Sequence, residues 1–429
     1  MTLQILFIHQ NFPGQFLHLA PVLAAAGHQV TALCLQPLDR RSSAQQEAPT
    51  AETNWQGVRV LTYQVARNSS REVHPWIADL EAKTIRAQAC LNACLALQRQ
   101  GYTPDVVIAH PGWGEPLFIR EVWPAVRLGL YAEFYYHARG ADTGFDPEFP
   151  AADPVADACR LRLKNLNNDL QYPQADAVIS PTHWQASTFP EAIRRKISVI
   201  HDGIDTRLVA PDPGVRLRLQ TARGPLQLTR ADEVITFVNR NLEPYRGYHT
   251  FMRALPMLLA QRPQARVLIV GGEEVSYGAR PADGRSWKEI FIREVRPQIS
   301  DADWARVHFL GQIAYQHFIP LLQLSRVHVY LTYPFVLSWS LLEAMSAGCA
   351  IVASDTQPLH EAIRHDETGR LVSFFDPHAL AGEICTLLDD PEARQRLGHH
   401  ARTFAQTHYD LQRVCLPHQL AWVMQLASG

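Results

Sequence analysis

The chain has 429 residues, 47% of them hydrophobic and 19% charged, with a formal net charge of −2. That length is too great for one compact core and fits two or three domains of ordinary globular composition. Near-neutrality excludes a global basic field for nucleic acid or an anionic membrane, and no run of eighteen apolar residues is present to span a bilayer. The short Arg194-Arg195-Lys196 cluster reads as a solvated loop, which leaves at most peripheral membrane contact. Seven cysteines include no CxxC pair, and Cys90 and Cys94 lack a second pair to complete a zinc site. Free thiols and an N-terminus without a signal pattern point to the cytoplasm.

Taken in chain order, the first half alternates strands and helices. Leu3–Ile8 is a short apolar run of the kind found in parallel strands buried on both faces. A turn at His9–Gly14 leads to an expected helix over 15–26, then a strand over 30–35, a loop over 39–54, a strand over 58–63 and a long helix over 74–100. Further strands are expected at 106–109, 128–136, 177–180 and 197–200. Residues 206–232, rich in proline, glycine and arginine, read as an interdomain linker. A second series comes next, with strands at 234–238, 267–270, 307–310, 327–331 and 350–353. A helix is expected over 249–261, a loop with a helix near Trp287 over 273–303, and closing helices over 377–397 and 402–426. The alternation specifies an α/β fold with two doubly wound parallel sheets, whose carboxyl edges are the ligand-binding edges.

Three segments carry chemistry. Arg240 and Arg246 straddle a strand-to-helix turn and can converge on one anion; guanidinium forks suit a diphosphate, whose charge grows as a glycosidic bond breaks. An ordinary pair of surface arginines is the bland alternative. In Pro334–Gly348, a polar turn opens a helix bearing Glu343, a glycine stops it, and the apolar strand Cys349–Ala353 follows. Glu343 also fits a capping box with Ser340, a structural reading that leaves ligand binding open. Asp301-Ala-Asp303 has the spacing of a metal-binding pair but lies in a mixed insertion, and no metal site is expected.

The Pro334–Gly348 segment resembles the donor-binding motif of retaining nucleotide-sugar glycosyltransferases of family 4. The resemblance implies the GT-B architecture: two Rossmann-like domains facing a cleft, at 1–206 (acceptor) and 207–404 (nucleotide sugar), with 405–429 crossing back to the first. His201-Asp-Gly-Ile-Asp205 is similar to the family's signature at the domain junction. The resemblance further implies that Arg240 and Arg246 hold the diphosphate, with Arg246 replacing a lysine. Glu343 would take the ribose, Val336, Leu337 and Ser338 would offer backbone groups at the helix start, and Gln312 and Ile313 would meet the base. Gly14 would approach the donor and His110 the donor sugar. Phe335 stands where the family has a first glutamate and would pack near the sugar. For the acceptor, the loop after residue 136 offers Asp142 and Asp146, since carboxylates bond sugar hydroxyls.

The resemblance thus implies a hexosyl-type transferase, retaining and free of metal or other cofactor. Its expected donor is a nucleotide-diphosphate sugar and its expected acceptor a glycan, lipid or other hydroxyl. A non-catalytic sugar-nucleotide or glycan-binding protein and a sugar-nucleotide epimerase remain the alternatives.

Overall fold

The computed structural model describes residues 2–35, 52–221 and 224–429. The chain divides into two compact units, Met1–Asp202 with Gln412–Gly429 and Gly203–Leu411.

The first unit holds eight strands: β1 (Gln4–Ile8), β2 (Gln29–Cys34), β3 (Glu52–Trp55), β4 (Val58–Thr62), β5 (Val106–Ala109), β6 (Arg127–Tyr131), β7 (Ala177–Ser180) and β8 (Ile197–Val199). Their order is β3-β4-β2-β1-β5-β6-β7-β8, parallel throughout except for the β3–β4 hairpin pairing at the edge. Ile5, Leu6, Phe7 and Ile8 of β1 are wholly buried, as expected of a central strand covered on both faces. Because β1 lies between β2 and β5, the chain reverses its winding there, and the loops after β1 and β5 flank the topological switch point.

The second unit begins with an antiparallel hairpin, β9 (Arg216–Thr221) and β10 (Gly224–Thr229). A six-stranded parallel sheet comes after it: β11 (Val234–Asn241), β12 (Arg266–Gly272), β13 (Val307–Gly311), β14 (Val327–Tyr330), β15 (Ala350–Ser354) and β16 (Arg370–Val372). The order is β13-β12-β11-β14-β15-β16, so its switch point lies between β11 and β14. Phe237 of β11 stacks on Phe251 of the helix Tyr248–Gln261, with ring centroids 4.5 Å apart, and this fixes helix to sheet.

Several expected elements differ. Of the expected loop over 39–54, residues 39–51 lie outside the described residues, and Glu52–Asn54 belong to edge strand β3. The strand expected through 136 ends at Tyr131, and the helix expected over 15–26 is a 3-10 turn (Gly14–Phe16) followed by Leu19–Ala25. The expected linker over 206–232 is largely the β9–β10 hairpin: its alternating Leu217, Leu219, Leu226 and Leu228 pack onto the second unit's core. The unit boundary falls at 202/203 because Ile204 bridges to Asp410, the Ile204 N–H donating to Tyr409 O and the Leu411 N–H to Ile204 O. Asp390 caps a new helix, Pro391–His408, which splits the single helix expected over 377–397. Residue 405 lies inside that helix and in the second unit's core, so the segment joined to the first unit starts at Gln412. The final helix is Leu416–Ser428, after a π-turn at Leu411–Cys415. Trp422 and Leu426 fit where Gly129 of β6 has no side chain: a Cβ there would lie 2.6 Å from the Trp422 ring.

Candidate functional site

In the second unit, a cavity of about 560 Å³ opens where the carboxyl ends of β11, β12 and β13 meet the start of the helix Trp339–Ser346. This is the ligand edge of a doubly wound sheet. Arg240, Arg246, Gln312, Ile313, Ser338 and Glu343 all line it. Phe335, Val336 and Leu337 are buried behind it and are not in its lining.

The β11–β12 ladder shifts register between Val238 and Asn241, a bulge of the kind that re-aims side chains beside sites. Arg240 sits in that irregularity and is exposed. Arg246 is only 6% exposed. Its Nη1 donates to Thr332 Oγ1 (2.9 Å), the Tyr330 hydroxyl (3.3 Å) and Val336 O (3.3 Å). Among the described residues it forms no ion pair, so a buried, permanently charged guanidinium lines the cavity hydrogen-bonded to neutral groups, with the Glu243 carboxylate acting on it only through space. Gly247 follows in the left-handed region (φ +65°), and a Cβ there would lie 2.3 Å from Leu331 Cβ, so the turn that seats Arg246 requires glycine.

Ser338 is the N-cap of the helix Trp339–Ser346, yet its side chain makes no capping bond. Its hydroxyl meets that of Ser340 at 3.0 Å, and its N–H donates to the Tyr330 hydroxyl. The helix start thus adds backbone dipole and two hydroxyls to the cavity wall. Glu343 does not complete a capping box, because the helix starts earlier than that reading requires and the carboxylate turns to another element. Its Oε1 accepts from the Tyr315 hydroxyl at 2.6 Å. Burial pushes the Glu343 carboxyl above the usual carboxylate range, and the Tyr315 bond partly opposes this.

Four contributors escaped the sequence reading. Glu243, 1% exposed, accepts from the backbone N–H groups of Ser276, Tyr277 and Gly278 at 3.1–3.3 Å. It is therefore a scaffold anion that folds the segment after β12 back over the cavity. Asn241 Nδ2 donates to Ser276 Oγ at 2.8 Å and reinforces the fold-back. Tyr277 and Tyr315 enter the lining from this segment and from the helix Tyr315–Leu324. The signal for Glu243 was a carboxylate inside Asn241–Gly247; nothing local marks its partners more than thirty residues on.

The first unit places other expected residues at its own switch point. His110 ends β5, is 1% exposed, and lies between the rings of Tyr131 and Trp113. Its Nδ1 accepts from the Gly112 N–H at 3.2 Å, which leaves the proton on Nε2. Nε2 is buried without a hydrogen bond, and the Glu133 carboxylate stands 3.6 Å away. Burial first, and then His9, hold His110 well below the normal histidine range. His9 ends β1 with its ring 5.3 Å from that of His110; its pKa is lowered by burial to about 4. Gly14 has φ +47°, and a Cβ there would lie 2.3 Å from the His9 ring, so its close approach in this structure is to His9. Asp142 and Asp146 lie in the loop after β6 and are 5% and 3% exposed; Asp146 Oδ1 accepts from the Glu148 N–H. Asp301 and Asp303, spaced like a metal-binding pair, begin the short helix Asp301–Trp304 and pair with Arg296 and Arg306.

Two doubly wound parallel units with a polar, cationic cavity at the carboxyl edge of the second define a GT-B protein. The profile of the glycosyl transferase family 4 group matches residues 27–209, and that of the glycosyl transferases group 1 matches residues 220–404. The chain belongs to this glycosyltransferase family. It is 27% identical over 216 residues to D-inositol 3-phosphate glycosyltransferase of Corynebacterium glutamicum, covering 49% of this chain and 48% of that protein. The chain thus spans about half the length of that relative. Identity to the glycogen synthase of Mycobacterium tuberculosis is 27% over 407 residues, 92% of this chain and 87% of that one. In fold it is similar to sucrose-phosphate synthase from Thermosynechococcus elongatus, with a TM-score of 0.69, 18% identity and full coverage of both chains.

Proposed function

We propose that the protein transfers a sugar from a nucleotide-diphosphate sugar to a hydroxyl of a glycan, lipid or other acceptor. The observation that carries this reading is the cavity of the second unit. There Arg240, a buried Arg246 that forms no ion pair among the described residues, and a helix N-terminus with two serine hydroxyls line the same wall as Glu343. An arrangement of fixed cationic and dipolar donors suits a diphosphate, because negative charge grows on it as the glycosidic bond breaks. Glu343 supplies a carboxylate for the ribose, and Gln312 and Ile313 form the wall proposed for the base.

The reaction is proposed to retain anomeric configuration and to need no metal. Two guanidiniums provide the charge stabilisation otherwise supplied by a cation, and the departing phosphate accepts the acceptor's proton from the same face. No protein nucleophile is required on this route, which is compatible with Phe335 at the position of the family's first glutamate. Phe335 packs edge-on to Tyr245 (5.9 Å) and against Tyr277 (4.9 Å), so it shapes the aromatic backing of the cavity. In the first unit, His110 Nε2–H is the proposed donor to a sugar hydroxyl, and the loop with Asp142 and Asp146 is the proposed acceptor-recognising segment.

That same phenylalanine favours a second reading, in which the protein binds a sugar nucleotide without turning it over. Incubation with a panel of nucleotide sugars, with and without sugar acceptors, separates the two. Acceptor-dependent release of nucleoside diphosphate from the wild type, lost in Arg246→Ala, supports transfer. Tight binding of a nucleotide sugar without release supports the second reading.

A further inference from the structure

Glu343 and Tyr315 reach the cavity from different helices, and their meeting was not foreshadowed by any spacing in the sequence. Tyr315 opens the helix Tyr315–Leu324, and Glu343 is the fifth residue of Trp339–Ser346. Tyr315 is 50% exposed, and its ring lies 6.0 Å from that of Phe318, which lines the same cavity. Glu343 is 8% exposed. Among the described residues, the Tyr315 hydroxyl is the one hydrogen-bond partner of its carboxylate.

We propose that Tyr315 is a positioning residue for Glu343: its hydroxyl occupies Oε1 and presents Oε2 as the acceptor for the donor ribose. This rests on the donor-site reading above and deepens it. An ionised carboxylate accepts only, with room for about four hydrogen bonds over its two oxygens. A ribose diol brings two donors, and an unbraced carboxylate would rotate between them and water. The Tyr315 bond removes that freedom and offsets part of the cost of burying the charge.

The surrounding groups keep the roles distinct. Asp205, from the segment preceding the β9–β10 hairpin, adds negative potential at Tyr315, while Arg240, Glu243 and Arg246 from the turn after β11 line the same cavity. Ser338 and Ser340 share the helix of Glu343. Burial and the facing Glu343 both raise the phenol's pKa, so Tyr315 stays protonated and remains a donor. Protonation of Glu343 would leave an uncharged, weaker acceptor for the Tyr315 hydroxyl and place a proton on an oxygen offered to the ribose, removing an acceptor there.

The test is nucleoside-diphosphate affinity as a function of pH, using the best binder from a panel of common nucleoside diphosphates. Wild type, Tyr315→Phe, Glu343→Gln and the double variant are compared, with thermal melts to confirm folding; Phe keeps the ring beside Phe318. Tyr315→Phe is expected to weaken binding about five- to tenfold at pH 7.5. It should also move the acid limb of the binding profile to higher pH, and add nothing in the Glu343→Gln background. An equal loss in both backgrounds, or an unmoved acid limb, would overturn the proposal. If Tyr315→Phe binds like the wild type, the role of Tyr315 alone falls; if the wild type binds no nucleoside diphosphate, the donor-site reading falls with it.

Discussion

The Arg246 guanidinium lies 5.1 Å from the centre of the Tyr277 ring, a cation–π contact that covers one side of the buried cation. Tyr277 is held there because Glu243 accepts its backbone N–H and those of its two neighbours. The contact is worth about 0.5–2 kcal/mol and shields the cation from water. Tyr277→Ala is therefore expected to weaken nucleoside-diphosphate binding by about three- to thirtyfold, while Tyr277→Phe keeps most of it. Calorimetric titration of the two variants checks this.

Glu243→Ala leaves three backbone donors without their acceptor. Each buried orphan costs about 1–3 kcal/mol unless water reaches it, so a loss of roughly 2–4 kcal/mol is expected, with early proteolytic cutting between 273 and 286. Urea unfolding and limited proteolysis read the two effects. Unchanged cutting in that segment would show that Glu243 does not hold it.

Arg240→Ala and Arg246→Ala should lower turnover more than stability, because the charge they meet is greatest in the transition state. Loss of one such donor typically costs about 2.7–4 kcal/mol in the barrier. Arg246 should show the larger effect, being buried and braced where Arg240 is exposed. Steady-state kinetics with matched thermal melts decides. Turnover within twofold of wild type would remove the diphosphate assignment.

Glu343→Gln should make the ligand-free protein more stable at neutral pH while weakening nucleotide binding. Burial raises the carboxyl's folded pKa. A raised carboxyl pKa favours the folded state at low pH, and that advantage is lost as pH rises through the folded value, leaving a buried charge at pH 7. Gln carries no such charge. The gain in melting temperature should be present at pH 7.5 and shrink as pH falls towards the unfolded carboxyl value. A variant less stable than wild type at pH 7.5 would contradict this.

Acid should destabilise the first unit before the second. Burial lowers His9 to about 4 and His201 to about 3, and His110 lies well below normal; among the described residues of the second unit His328 is lowered to about 3 and His308 is lowered to a smaller extent. These imidazoles are neutral when folded and take up protons when unfolded. Their contribution is complete above the unfolded value of about 6.5 and is lost as pH falls towards the folded values. Each costs up to about 1.4 kcal/mol per pH unit in that window. Glu115, whose pKa is raised by burial, opposes part of this in the first unit. Hydrogen exchange across pH 7 to 4.5 should show protection falling first in β1, β5 and β6.

The strands that position both switch points were legible, since β1, β5, β15 and the 234–238 part of β11 are short, predominantly apolar runs and such runs have few alternatives to a buried parallel strand. Arg240, Arg246 and Glu343 stood out because charged residues beside such strands cluster at the ligand edge. The helix break at Asp390-Pro391 was also written in the sequence, as a capping aspartate followed by proline, but a broad helical pattern hid it. The hairpin 216–229 was misread because its prolines, glycines and arginines outweighed a two-residue alternation of leucines. The links from Glu243 to Ser276–Gly278 and from Tyr315 to Glu343 were not legible at all. They join segments 33 and 28 residues apart, and no local pattern encodes such pairings.

The most direct test of the central claim is calorimetric titration of nucleoside diphosphates into the whole chain in the presence of a metal chelator. The expected result is one site per chain for at least one base, with affinity lost by more than tenfold in Arg246→Ala and retained in an exposed surface variant of the first unit such as Arg195→Ala. No binding of any nucleoside diphosphate by the folded wild type, or equal binding by Arg246→Ala, would contradict the assignment of the second unit's cavity as the donor site.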